Sequence, residues 1–82
     1  MYTVVDFSRA ATGRTIRRLR KEKGISQEVL SGLAGMARSH LAMIETGVKQ
    51  PNFETIWRIA GALEIPPHEL VRKIEQEALQ NR

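Results

Sequence analysis

Apolar residues recur at helical spacing in five segments of this chain, and helix-breaking residues separate the segments. The separators are Gly24, Gly35, Gly47, Pro51 with Asn52, and Pro66 with Pro67. Apolar residues three and four positions apart predict amphipathic helices, and glycine or proline between such stretches predicts their boundaries. The pattern therefore predicts an all-α fold, a compact bundle of five helices around one core.

Capping residues predict where the helices begin. The side-chain oxygens of Ser8, Ser26 and Asn52 suit helix N-caps, and Pro67 suits a first turn. The predicted helices cover residues 8–23, 26–34, 37–46, 52–63 and 67–82. The buried stripe of the fourth helix is predicted to comprise Phe53, Ile56, Trp57, Ala60 and Leu63. Residues 1–7 lack a helical period and are interpreted as an arm, with an edge strand or disorder as alternatives.

Length and composition narrow the class of protein. Eighty-two residues suffice for one domain, here placed at residues 8–75. Residues 1–49 carry a net charge of +5, and residues 50–82 carry −1, within a total of +4. A basic half beside a near-neutral half is typical of a nucleic-acid-binding protein, although solvated helix faces would give the same count.

Several kinds of chemistry find no support in the residues. The chain has no cysteine, which excludes disulfides and thiolate metal sites. Its two histidines, His40 and His68, lie on separate predicted helices, and no catalytic triad, phosphate loop or carboxylate pair is evident. We therefore expect neither an enzyme nor a cofactor or metal. Without a signal peptide or a membrane span, we expect a cytoplasmic protein.

Residues 26–45 have the pattern of two short helices joined by a tight turn. Such a unit needs apolar residues where the helices meet, a small residue where they cross and a glycine in the turn. Leu30, Ala34, Met36, Leu41 and Ile44 supply the apolar contacts. Ser31 is the small residue, and Gly35 can adopt the positive φ of the turn.

With its flanking segments, this unit resembles the phage-repressor and Cro-like (XRE-type) helix-turn-helix family. The resemblance covers residues 13–70 and rests on IRRLRKEKGISQ at 16–27, IETGVKQP at 44–51 and FETIWRIAGALEI at 53–65. The size and the helical tail are also similar to the controller proteins of restriction–modification systems. The resemblance implies a lambda-repressor-like fold and a transcriptional regulator whose third helix, about residues 37–46, enters the major groove of double-stranded DNA.

The resemblance also implies roles for individual residues. Those near the start of the third helix would read base edges: Arg38, Ser39, His40 and, one turn later, Met43. Arg38 could instead contact a phosphate or remain solvated, and His40 and Met43 could simply line the groove. Residues at the flanks would contact phosphates: Gln27, Thr46, Lys49 and Gln50. Arg20 and Glu45 would form a partly buried ion pair that orients the third helix. Three residues depart from the family pattern, namely Gly32, the uncapped Ala37 and Ala42.

We expect two copies to bind an inverted repeat, because one module covers only a half-site. The apolar residues of the last helix extend beyond what the core needs and predict the interface: Leu70, Val71, Ile74 and Leu79, with Trp57 as a neighbour. Alternatively, Leu70 and Val71 complete the core, or Tyr2, Val4 and Phe7 exchange between copies. No small-molecule effector is expected. The rival interpretation is an antitoxin or another protein-interaction module, and a second rival is a bridging coactivator without specific DNA recognition.

Overall fold

The computed structural model describes residue 2 and residues 4–80, and this part of the chain contains five helices and no strand. They are α1 (Arg9–Glu22), α2 (Gln27–Ala34), α3 (Arg38–Glu45), α4 (Phe53–Ala62) and α5 (Pro67–Gln80). The predicted five-helix fold is confirmed. Met1 and Thr3 of the predicted arm and Asn81 and Arg82 of the predicted last helix lie outside the described residues.

The predicted N-caps make the hydrogen bonds expected of them. Ser8 Oγ accepts from the Ala11 N–H at 2.9 Å, and Ser26 Oγ accepts from the Val29 N–H at 3.1 Å. Asn52 Oδ1 accepts from the Thr55 N–H at 2.8 Å. Each bond satisfies an amide that the first helical turn leaves without a partner, so these side chains define where α1, α2 and α4 begin.

One apolar core joins all five helices. α1 packs against α3 and α5, α2 packs against α3 and α4, and α4 packs against α5. The largest fully buried side chains are Ile16, Leu30, Leu41, Ile44, Ile59, Leu63 and Leu70. Within residue 2 and residues 4–80, none of the helices combines the length and apolar character that a membrane span requires.

The predicted buried stripe of α4 is wrong for its two aromatic residues. Phe53 is 72% exposed and Trp57 is 57% exposed, whereas Ile59 is fully buried in their place. The core-facing side of α4 is therefore Ile56, Ile59 and Ala60, continued by Leu63. The aromatic pair lies on the flank of this stripe, where the rings make an edge-to-face contact with centroids 5.7 Å apart.

The arm folds back over α5. Its described residues form neither helix nor strand, so the edge-strand alternative is wrong for them. The Tyr2 hydroxyl donates a hydrogen bond to Glu75 Oε2 at 2.9 Å, which ties the arm to α5. Beneath it lies a mainly apolar groove of about 460 Å³, lined by Phe7, Phe53, Val71 and Ile74 among others.

Candidate nucleic-acid interface

α2 and α3 form the helix-turn-helix that the residue pattern predicts. Gly35 ends α2 with φ at 68°, a conformation that favours glycine. The Met36 N–H then donates to the Ser31 carbonyl at 2.9 Å, which closes the turn, and Ser31 itself is only 3% exposed. The tight turn and the small buried serine hold the two short helices in contact.

The N-terminal end of α3 is open to solvent. Ala37, its N-cap residue, makes no capping hydrogen bond through its side chain. Because the first amides of a helix have no partner within the helix, this end offers N–H donors and a positive partial charge. An anionic group in solution can reach both.

The outward surface of α3 carries the residues predicted to read bases. Arg38 and Ser39 are exposed, and His40 and Met43 are half-buried. The Arg38 guanidinium has no hydrogen-bond or ion-pair partner among the residues that the structure describes. Its five donors are therefore free for an external acceptor, and a guanidinium can bond two acceptors on one guanine edge.

A buried network beneath α3 fixes its orientation. Arg20 Nε and Nη2 donate to the two carboxylate oxygens of Glu45 at 2.7 and 2.9 Å. Both residues are almost fully buried, at 8% and 7% exposure. The hydrogen bond to Glu45 raises the pKa of Arg20 above its ordinary value despite the opposing effect of burial. This two-point contact joins α1 to the C-terminal end of α3, in the structural role that the resemblance implies.

Gln27 extends this network to the start of α2. Its Nε2 donates to Glu45 Oε1 at 3.0 Å, a contact that sequence reasoning missed because the partner lies 18 residues away. The half-buried amide retains a second N–H that can donate to a phosphate oxygen. That Gln27 contacts a phosphate stays a prediction, and the hydrogen bond to Glu45 fixes the position of its side chain.

Sequence reasoning also missed the role of Gly13. A Cβ atom at this position would lie 2.4 Å from the Glu45 carbonyl oxygen and 2.5 Å from that of Ile44. The backbones of α1 and α3 therefore approach more closely than any side chain allows. This contact and the Arg20–Glu45 pair together fix how α3 lies across α1.

The predicted phosphate contacts after α3 lie in two places. Thr46 and Lys49 are exposed on the turn that follows α3. Thr46 Oγ1 donates to the Met43 carbonyl, which also accepts the Val48 and Lys49 amides at 3.0 and 3.1 Å. Gln50, by contrast, lines the groove under the arm, so it lies beside α5 and the arm.

The predicted dimer residues differ in exposure. Leu70 is fully buried in the core and offers nothing to a partner, so its assignment to the interface is corrected. Val71 and Trp57 are 45% and 57% exposed, Leu79 is 39% exposed and Ile74 is half-buried. Trp57 and Val71 line one concave surface together with Phe53, Pro67 and His68.

Comparison with known proteins places these features in a family. A family model described as helix-turn-helix matches residues 16–70, which is 55 of the 82 residues. The uncharacterised HTH-type transcriptional regulator y4dJ of Sinorhizobium fredii is 32% identical over 68 residues, covering 83% of this chain and 88% of that protein. Four further curated relatives, among them the immunity repressor of Bacillus phage phi105, are longer, and the chain spans 29% to 59% of their length.

Solved structures share the fold. The restriction–modification controller protein C.AhdI from Aeromonas hydrophila is 39% identical with a TM-score of 0.73, covering 76% of this chain and 94% of its own. The controller protein C.Esp1396I, solved as a tetramer with its natural 35 base-pair operator, has a TM-score of 0.81 and covers 90% of this chain and 97% of its own. At 23% identity, this second similarity is one of fold.

Proposed function

The chain belongs to the XRE-type helix-turn-helix family of transcriptional regulators, and from that premise we propose that it binds a specific DNA operator as a homodimer. The observation that carries the proposal is the exposed surface of α3, with a free Arg38 beside an uncapped helix start. Beneath that surface, a buried network holds the helix in one orientation. A rigid helix with unpaired donors on its outer side suits the major groove.

In this proposal, the first two turns of α3 read the operator. Arg38 donates to guanine O6 and N7, whereas Ser39 and His40 bond either purine, and Met43 contacts a thymine methyl. Phosphate contacts from Gln27, Thr46 and Lys49 set the register of the helix, because contacts to phosphates position a protein without reading sequence. Gln50 contributes less, because it lies beside the arm and α5.

The homodimer is supported by where the aromatic residues lie. All four aromatic residues of the chain are exposed: Tyr2 at 68%, Phe7 at 65%, Phe53 at 72% and Trp57 at 57%. Two adjoining concave surfaces collect them, with Phe53 and Val71 lining both. We call Tyr2, Phe7, Phe53, Trp57 and Val71 the aromatic surface. Exposed aromatic groups gathered in one place are typical of protein interfaces.

A second copy is the occupant that the proposal assigns to the aromatic surface. An isologous contact between identical surfaces gives two-fold symmetry, and two α3 helices related in this way read an inverted repeat. C.Esp1396I, which binds its operator as a tetramer, is consistent with assembly on DNA. The rival interpretation, an antitoxin-like module, would place a different protein on the same surface.

Selection from a random duplex library of about 30 base pairs at physiological salt tests operator recognition. The proposal expects enrichment of an inverted repeat with half-site centres about 10–11 base pairs apart, or a multiple of that spacing. Arg38→Ala should weaken binding by about 5- to 150-fold for each half-site and relax one position of each half-site. Arg72→Ala removes an equally charged group that is paired with Glu69 on α5, and it should leave the motif unchanged. A library without any enriched motif contradicts the proposal.

Trp57 provides a direct probe of the dimer, because it is the only tryptophan in the chain. On dilution, its fluorescence should shift to longer wavelength as the aromatic surface becomes exposed to water, and light scattering should give a falling mass. Val71→Glu should yield a monomer. Leu33→Glu is the control, because this side chain of α2 is 64% exposed and lies outside the aromatic surface, and it should leave the dimer intact. A wild-type protein that is monomeric at tens of micromolar contradicts the homodimer and favours a different protein partner.

A further inference from the structure

The positive charges of α1 and of Lys23, its C-cap residue, divide into paired and unpaired groups. Arg14 Nε and Arg18 Nη1 donate to the two carboxylate oxygens of Glu77 on α5, at 3.0 and 3.1 Å. Lys23 pairs with Glu64 at 2.9 Å, and Arg20 is buried with Glu45. Three cations are left without a partner among the described residues: Arg9, Arg17 and Lys21.

Gly13 and the three unpaired cations follow one row along α1, with Lys21 at the end of the row farthest from Arg9. Arg9, Gly13 and Arg17 are spaced four residues apart and so share one side of the helix. Gly13 marks the point where α1 meets the α3 backbone. At about 1.5 Å per residue, Arg9 and Arg17 flank that point by about 6 Å in each direction.

A second contact fixes the position of Arg9. A Cβ atom on Gly47 would lie 3.4 Å from the Cα of Ala10 and 3.7 Å from the carbonyl carbon of Arg9. The start of α1 therefore packs against the turn that follows α3. That turn also carries Lys49, an exposed cation without a partner among the residues that the structure describes.

The charges around the C-terminal end of α3 are consequently unbalanced. Arg9, Arg17 and Lys49 are all exposed there, and the carboxylate of Glu45 is buried and already bound. Like charges held close together oppose folding, whereas an anion bound between them would stabilise the arrangement. Double-stranded DNA presents such anions, because successive phosphates follow one another along each strand and can lie next to neighbouring cations.

We infer that Arg9 and Arg17 extend the DNA-binding surface onto α1, where they contact phosphates of the operator backbone next to the one held by Lys49. This inference rests on the proposed function and assigns it two further residues. Arg14 and Arg18 have a different role, because their bonds to Glu77 fasten α5 to α1. The basic residues of α1 thus have two roles: those on one side contact DNA, and those on the other side hold α5 against α1.

The salt dependence of DNA binding measures such contacts directly. Each phosphate contact contributes about −0.9 to the slope of log K against log salt concentration. In a homodimer, Arg9→Gln or Arg17→Gln removes two contacts, so the slope should flatten by about 1.8. Between 50 and 200 mM salt, each variant should therefore lose about 12-fold less affinity than the wild type.

Two control variants separate contact from general attraction. Arg72→Gln removes a charge that is paired with Glu69 on α5, and Arg14→Gln removes a charge of α1 that is paired with Glu77. Both should leave the slope near the wild-type value. Circular dichroism of each variant checks that the helices are intact, because glutamine is a good helix former.

Measuring the slope on the selected operator and on a random duplex separates the two proposals. If the wild type prefers the operator and Arg9→Gln and Arg17→Gln leave the slope unchanged, this inference fails and the proposed function stands. If Arg14→Gln or Arg72→Gln flattens the slope as much as Arg17→Gln does, the effect is long-range attraction, which also overturns the inference. Equal wild-type affinity for both duplexes overturns the proposed function, and the slopes then still test whether Arg9 and Arg17 contact phosphates. A wild type that binds neither duplex contradicts the proposed function and this inference.

Discussion

Adding one methyl group at Gly13 perturbs the crossing of α1 and α3 at its closest point. The Cβ atom of Gly13→Ala would lie 2.4 and 2.5 Å from two α3 carbonyl oxygens and 2.8 Å from the Glu45 carbonyl carbon. Real Cβ atoms essentially never approach another atom within 3.0 Å. The backbones of α1 and α3 must therefore move apart by about 0.6 Å at this point. The α3 backbone cannot relieve the contact by rotating a bond, as the end of a flexible side chain could.

The magnitude follows from two opposing effects. Overpacking typically destabilises a fold by about 1–3 kcal/mol, whereas replacing glycine by alanine inside a helix stabilises it by up to about 1 kcal/mol. Because the contacts at Gly13 are with backbone, the steric effect should prevail, for a net loss of about 1–2 kcal/mol. Gly32→Ala is the matched control, because a Cβ atom there meets nothing within 4 Å. It should gain about 0.5–1 kcal/mol.

Chemical denaturation followed by far-ultraviolet circular dichroism measures both changes. The variants must be compared at one protein concentration, since dimerisation makes stability depend on concentration. Gly61→Ala on α4 is a second control with an equally open environment. If Gly13→Ala is as stable as Gly32→Ala, the close approach of α1 and α3 is not a constraint, and the reasoning about the orientation of α3 is refuted.

Three further changes test other contacts. Glu45→Ala should cost about 3–5 kcal/mol of unfolding free energy, because it leaves the Arg20 charge buried without its partner; a loss below about 1 kcal/mol in denaturation would contradict the buried pair. Ala37→Ser supplies the missing side-chain cap of α3 and should raise stability by about 0.5–2 kcal/mol, with no gain counting against it. The pKa of Tyr2 is raised above 10.0, chiefly by its hydrogen bond to Glu75, so Glu75→Gln should lower it in an ultraviolet titration of this single tyrosine. Because folding raises this pKa, the stabilisation by the docked arm is complete below the unfolded value and is lost as pH rises through the folded value. An unchanged titration would mean that the arm is not docked.

Local sequence signals account for most of the fold. N-caps act within three residues, so Ser8, Ser26 and Asn52 could be identified without knowing what the helices pack against. The turn glycine Gly35 is equally local, since its role depends on its own backbone angles. These features predict five helices and their order.

The error in α4 shows where periodicity becomes ambiguous. Two apolar stripes overlap in this helix, one running through Phe53, Ile56, Trp57 and Ala60 and the other through Ile56, Ile59, Ala60 and Leu63. Both satisfy the helical spacing, and only packing against the other helices selects the second. The displaced aromatic residues are the ones on which the proposed dimer depends.

The parts of the candidate site that could not be predicted all depend on partners distant in sequence. The partner of Gln27 lies 18 residues away, and Arg14 and Arg18 reach Glu77 across 63 and 59 residues. Charge alone could not separate these arginines from Arg9 and Arg17, because each looks the same in the sequence. The crossing at Gly13 and the bonds to Glu77 distinguish the two sides of α1.

The spacing between half-sites tests most directly whether two copies read the operator together. Inserting about five base pairs between the half-sites of the selected operator rotates one of them by half a helical turn. The account predicts that binding falls to the affinity of an isolated half-site, and that scrambling one half-site has the same effect. An operator that binds equally well with and without the insertion would contradict the homodimer on an inverted repeat.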